Sequence, residues 1–146
     1  MYVSMKGMLQ RANEGNYAVM AINCFNIETA RAVISAAQDL RAPIIVNIVQ
    51  EHMVNHCDSE LIAPIVKLLA QRASVEVALN FDHGEEIGYL KKALHDGYSS
   101  VMVDASRYDL ELSLIHIFIL IAIQKSFLRN IRGWLNTGLH LMKSIA

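Results

Sequence analysis

The chain has 146 residues, 53% of them hydrophobic and 18% charged, with a formal net charge of -1 at neutral pH. That length supports one domain with a sizeable core, and the composition excludes a disordered chain. So small a charge gives no pull towards nucleic acid or anionic lipid, and neither is expected as a partner.

The elements follow in order. Residues 17–23 (YAVMAIN) read as a buried strand. Asn26 is suited to cap the helix after it, because its side-chain oxygen can accept from a free first-turn N–H, and Glu28 complements the helix dipole. Ala30, Val33, Ile34, Ala37 and Leu40 then recur at helical spacing. Arg41-Ala42-Pro43 ends that helix, since the residue before a proline avoids the α region. Residues 44–49 form a second β-branched run, and Asp58 or Ser59 opens a helix with Leu61, Ile62, Ile65, Leu68 and Leu69 on its face. Pro64 is compatible with that helix only near its first turn.

A third strand is expected over residues 75–81, a third helix from about Glu85 to Asp96-Gly97, and a fourth strand over residues 99–103. Strands separated by helices of this length indicate a parallel sheet with right-handed crossovers. The two cysteines, Cys24 and Cys57, are too few for a disulfide framework. Cys24 reads as a small buried hydrophobe, and a cytoplasmic location is expected. The N-terminus lacks the apolar stretch of a secretion signal. The longest apolar run, residues 114–123, contains His116 and falls short of the roughly 18 residues that span a bilayer.

In parallel β/α folds the reactive side chains gather beyond the carboxyl ends of the strands. Those ends carry Asn23-Cys24, Asn47 to Gln50, Asn80 to Gly84, and Asp104 to Ser106. The third is the most informative. In Asn80-Phe81-Asp82-His83-Gly84 an imidazole able to bind zinc lies beside a carboxylate able to move a proton or orient the ligand, and Gly84 permits a tight turn or close approach of a substrate. His52, His56 and Cys57 match no standard ligand spacing and read as loop or helix surface. Lys91-Lys92 reads as a solvated helix end.

Taken together, AINCFNIETARAVISAA, RAPIIVN, VALNFDHG and GYSSVMVDAS, in that order and at these intervals, resemble the class II (zinc-dependent) fructose- or tagatose-bisphosphate aldolases. The resemblance covers about residues 1–111. It implies part of a (β/α)8 TIM barrel, about four β/α units, and reversible cleavage of a ketose 1,6-bisphosphate to dihydroxyacetone phosphate and glyceraldehyde 3-phosphate. It further implies Asp82 as the catalytic acid/base and His83 as the first of three histidine ligands to Zn2+. By the same resemblance Asp104 lies near a secondary metal position, and Asn23, Asn47 and Ser106 lie near the sugar phosphate. Val49 and Gln50 depart from the family pattern. A non-catalytic α/β binding module on the same fold is the alternative reading.

The resemblance stops where the composition breaks. Residues 1–111 hold all 14 acidic side chains and nine of the 13 basic ones, whereas residues 112–146 carry four basic and no acidic side chains. The tail reads as a divergent apolar and basic segment of helical period, and the later strands that bring two further histidines are not recognised in it. A complete barrel needs about 250 residues. The 146 residues are therefore expected to be inactive alone, and their exposed sheet edges to favour self-association where the complete enzymes are homo-oligomers.

Overall fold

The structure, a computed structural model, describes residues 1–109 and 111. The helical tail expected over residues 112–146 lies outside the described residues. Two compact units are distinguished, Met1–Asp104 and Ala105–Ala146, and the first holds all the regular elements below.

These elements are α1 (Met5–Glu14), β1 (Met20–Asn23), α2 (Ile27–Asp39), β2 (Ile44–Val49), α3 (Gln50–Asn55), α4 (Ser59–Arg72), β3 (Val77–Gly84), α5 (Ile87–Asp96) and β4 (Ser100–Val103). The four strands are all parallel and lie side by side in the order β1-β2-β3-β4. Asn23 pairs in register with Asn47, Asn47 with Asn80, and Asn80 with Ser100. In-register residues of neighbouring strands share a face, so these four polar residues form one row across the sheet.

The two faces are filled differently. Helices α2, α4 and α5 pack on the outer face, presenting mostly small or branched buried residues: Ala30, Ile34 and Ala37, then Ile62, Ala63, Val66 and Ala70, then Leu90, Ala93 and Leu94. On the inner face Met8 of α1 buries against Ile45 and Ala78, with Val3, Met5 and Val19 around them. The chain start is tied to β3: the Val3 amide donates to the Val77 carbonyl at 3.0 Å, and the Val77 amide to the Met1 carbonyl at 2.8 Å. The N-terminal half of the inner face is thereby closed with apolar groups, and only its carboxyl-end half carries polar ones.

Local signals explain several boundaries. Asn26 caps α2 as expected: its Oδ1 accepts from the Thr29 amide at 2.9 Å, while Thr29 Oγ1 accepts from the Asn26 amide at 3.2 Å. Asn26→Ala should therefore cost about 1 kcal/mol, read as a lower urea midpoint at unchanged slope. At the other end α2 stops at Asp39, with Arg41 in the left-handed region (φ 53) and the Ala42 amide reaching back to the Ala37 carbonyl. This is a hydrogen-bonded helix stop, made before Pro43 is reached. Gly97 ends α5 with φ 89, a conformation open to glycine without steric cost. Pro64 lies deeper than the first turn, as the sixth residue of α4. Among the described residues no helix is long and apolar enough to cross a membrane.

Candidate active site

The site grows from the carboxyl end of β3. The strand does not stop at Phe81 but continues through Asp82, His83 and Gly84. Between Phe81 and Gly84 its pairing with β4 slips: three steps along β3 match two along β4, from Val101 to Val103. This is a β-bulge, and His83 sits within it at φ 48. Strict alternation sends neighbouring side chains to opposite faces. The bulge breaks that rule and brings His83 Nε2 to 4.0 Å from Asp82 Oδ2.

Gly84 has a packing role. A Cβ placed there would overlap Leu90 Cδ2 and lie 2.7 Å from Phe81 Cε1. The glycine lets α5 seat against the strand end, on the side away from the polar row. Phe81 is completed there by Tyr98, edge to face at 6.1 Å.

His83 is held by β4. Its Nδ1 lies 2.7 Å from Asp104 Oδ2, and the Asp104 amide donates to the Gly84 carbonyl at 2.9 Å. The imidazole is 54% exposed whereas the two carboxylates are 15% and 17% exposed, so a ligand can reach the ring while both acids are largely walled in. With Nδ1 engaged, Nε2 is the nitrogen left for a metal or substrate. A carboxylate behind a histidine is the usual orienting arrangement at metal sites. The hydrogen bond to Asp104 and the charges of Asp82, Asp104 and Glu85 raise the His83 pKa above its ordinary value, against a smaller opposing effect of burial.

A pH dependence follows. The raised folded-state pKa means that the pair stabilises the fold fully below the unfolded histidine pKa and stops doing so as pH rises through the folded value. Asp104→Asn should return the His83 titration, followed by NMR at the imidazole Cε1–H, towards about 6.5. The stability difference between the two proteins should be larger near pH 5.5 than at alkaline pH.

Asp82 is met from β2. Asn47 Nδ2 donates to Asp82 Oδ2 at 3.1 Å, Asn80 Nδ2 donates to Asn47 Oδ1 at 3.1 Å, and Ser100 Oγ donates to Asn80 Oδ1 at 2.6 Å. Asn47 and Asn80 are both buried. Asn23 is exposed at the β1 end of the same row. Ser106 is an exposed turn residue of the second unit, Ala105–Ala146. The first unit thus brings together Asp82, His83, Asp104 and Asn47, with Asn23 in line.

Two features escaped the sequence reading. Gln50 Oε1 accepts from the amides of Glu85 and Glu86, at 2.9 and 3.1 Å, and its Nε2 donates to Glu86 Oε1, so it clasps the segment that follows His83. The unusual residue at the β2 end is therefore a support for the β3 end. His52 and His56 form an aromatic group with Phe25, with centroids 5.4 to 5.9 Å apart, and His52 Nδ1 lies 3.3 Å from the Cys24 carbonyl. Cys24 itself is fully buried, which pushes its thiol up to about 11. At the opposite ends of the strands a cavity of about 600 Å³ is lined by Arg11, Tyr17, Gln38, Arg41 and Glu76 among others; it shares no residue with the cluster.

The family profile described as "Fructose-bisphosphate aldolase class-II" matches residues 3–114. The chain belongs to the class II fructose-bisphosphate aldolase family. It is 43% identical over 108 residues to a fructose-bisphosphate aldolase of Mycoplasma pneumoniae, covering 73% of this chain and 37% of that protein. It is 38% identical over 112 residues to a 6-phospho-5-dehydro-2-deoxy-D-gluconate aldolase of Halalkalibacterium halodurans, covering 75% and 38%. Among solved structures the YdjI aldolase of Escherichia coli K12 superposes with a TM-score of 0.70 at 28% identity, over 76% of this chain and 43% of that one. The chain thus spans less than two fifths of the length of these two curated relatives. The parallel four-stranded sheet with its helices is part of a class II aldolase barrel, as its sequence led one to expect.

Proposed function

We propose that this chain supplies the acid–base part of a class II aldolase site that reversibly cleaves a ketose 1,6-bisphosphate to dihydroxyacetone phosphate and glyceraldehyde 3-phosphate. The observation that carries the reading is the bulge in β3, which gathers Asp82 and His83 at one strand end. Family membership supports it, as do the relatives whose names specify aldolases of phosphorylated sugars.

In the cleavage direction Asp82 takes the proton from the hydroxyl on the carbon that becomes the aldehyde. The adjacent carbon–carbon bond breaks, its electron pair stays with the other three-carbon fragment, and that carbon takes up a proton from a group beyond this segment to give dihydroxyacetone phosphate. In the reverse direction the Asp82 carboxyl group returns that proton to the aldehyde oxygen as the new bond forms. The Asn47 amide holds the carboxylate in position while this happens. Asn23, exposed at the end of the row, and Ser106 are assigned as contacts to the sugar phosphate by family resemblance.

His83, backed by Asp104, suits one zinc ligand position, with Nε2 as the donor. Among the described residues no group of three or more histidine, cysteine or acidic side chains could hold a metal ion, so the remaining ligands have to come from elsewhere in the barrel. Zinc, when bound, supplies Lewis-acid stabilisation of the negative charge that cleavage leaves behind. Asp104, engaged with His83, is assigned to orienting that histidine.

The test is complementation. The purified 146-residue chain should show no cleavage of fructose 1,6-bisphosphate above background. Co-expression with the remaining barrel segment of a relative should restore zinc-dependent cleavage. Restored binding without cleavage would favour the non-catalytic module instead. Light scattering on the chain alone should show self-association, which the complementary segment reverses.

A further inference from the structure

We infer that Ser100, Asn80 and Asn47 form a one-way hydrogen-bond ladder whose task is to aim a single N–H at Asp82, which makes Asn47 a positioning residue for that carboxylate and not a substrate contact. The inference rests on the reading of Asp82 as the acid–base group.

The direction of the ladder follows from its last member. An ionised carboxylate accepts and cannot donate. Asn47 must therefore turn its NH2 towards Asp82, 3.1 Å away, which leaves its oxygen facing Asn80. Asn80 must then turn its own NH2 towards Asn47, again at 3.1 Å, which leaves its oxygen facing Ser100. The serine hydroxyl has one proton and gives it to that oxygen at 2.6 Å. No amide in the row can flip alone without setting two acceptors, or two donors, face to face.

Burial makes this costly to violate. Asn47 is 8% exposed and Asn80 6%, so water cannot readily replace a lost partner, and an unpaired buried amide loses its solvation without return. Below the row the inner face is closed by Met5 and Met8, with Met5 Sδ against Ser100 Oγ. Both polar ends of the Asn47 amide are thus committed within the protein. What remains of the amide, a second N–H and a second lone pair, belongs to a side chain only 8% exposed, so it offers little to a sugar hydroxyl.

The experiment uses the full 146-residue chain and reads side-chain amide hydrogen exchange by NMR. The NH2 protons of Asn47 and Asn80 should exchange at least about tenfold more slowly than those of the exposed Asn13 and Asn55. Asn80→Asp replaces a donor by an acceptor of the same shape and should abolish the protection at Asn47. Should that variant not fold, Ser100→Ala and Ser100→Thr carry the same test. The alanine should raise exchange at both asparagines by about threefold or more, and the threonine, which keeps the hydroxyl, should preserve protection. Wild-type rates equal to those of Asn13 and Asn55, or an Asn47 amide indifferent to both Asn80→Asp and Ser100→Ala, would overturn the ladder.

A second arm, in the complemented barrel, separates this inference from the functional reading. Ser100→Ala should lower kcat with KM unchanged, and Ser100→Thr should restore it. A kcat unmoved by Ser100→Ala but lowered by Asp82→Asn would refute the positioning role. A kcat unmoved by either would refute the acid–base assignment itself.

Discussion

Asp82→Asn in the complemented barrel should lower kcat by about 10² to 10⁴-fold, the usual contribution of a positioned proton-transfer group. The substitution isolates chemistry from structure. An asparagine at this position still offers an oxygen to the Asn47 amide, which donates to Asp82 at 3.1 Å in the native chain, so the hydrogen-bonded row retains its last acceptor. What disappears is the group that can take and return a proton. Circular dichroism and the urea midpoint should therefore stay close to those of the parent while turnover collapses. A loss of less than about threefold would show that the proton travels by another route.

The second large effect is on stability. Gly84→Val should cost about 3 kcal/mol, the upper part of the range for overpacked cores. The new Cβ would overlap Leu90 Cδ2 and press on Phe81 Cε1, and both neighbours are fully buried. Phe81 cannot readily retreat, because its ring meets Tyr98. Against a stability of about 5–15 kcal/mol for an ordinary domain, such a loss is a substantial fraction, and the urea midpoint should fall accordingly. An unchanged midpoint would mean that α5 can shift outward, and the packing account of Gly84 would have to be abandoned.

The parts of the fold legible in sequence were those that repeat a simple period. The β-branched run at Ile44–Val49 and the helical spacing after Asn26 announce elements that bury one side or both, and both stand where expected. Helix α1 was not legible, because only Met8 and Ala12 of its ten residues are buried and so sparse a stripe resembles a polar loop. Helix α3 is six residues long, too short to establish a period.

The site divides in the same way. Asp82 and His83 stood out by residue type, but their convergence depends on a left-handed backbone at His83, and although histidine is enriched there among non-glycine residues, the conformation is too uncommon for the sequence to announce it. Asn47 was visible as a polar strand end. Its bonds run to Asn80 and Asp82, 33 and 35 residues away, and such partners are fixed only when the strands come into register. Gln50 looked like a departure from the family pattern for the same reason: the amides it serves belong to another strand's loop.

The order of the sheet has a consequence for biosynthesis. Each strand lies beside the one translated before it, β1-β2-β3-β4, and the first helix is available to cover the inner face as the second and third strands arrive. A nascent polypeptide leaving the ribosome can thus lay down this sheet one strand at a time, each new β/α unit finding its neighbour already in place. The contacts of the chain start and first helix with β3, such as Val3 with Val77 and Met8 with Ala78, must wait until that strand has emerged from the exit tunnel.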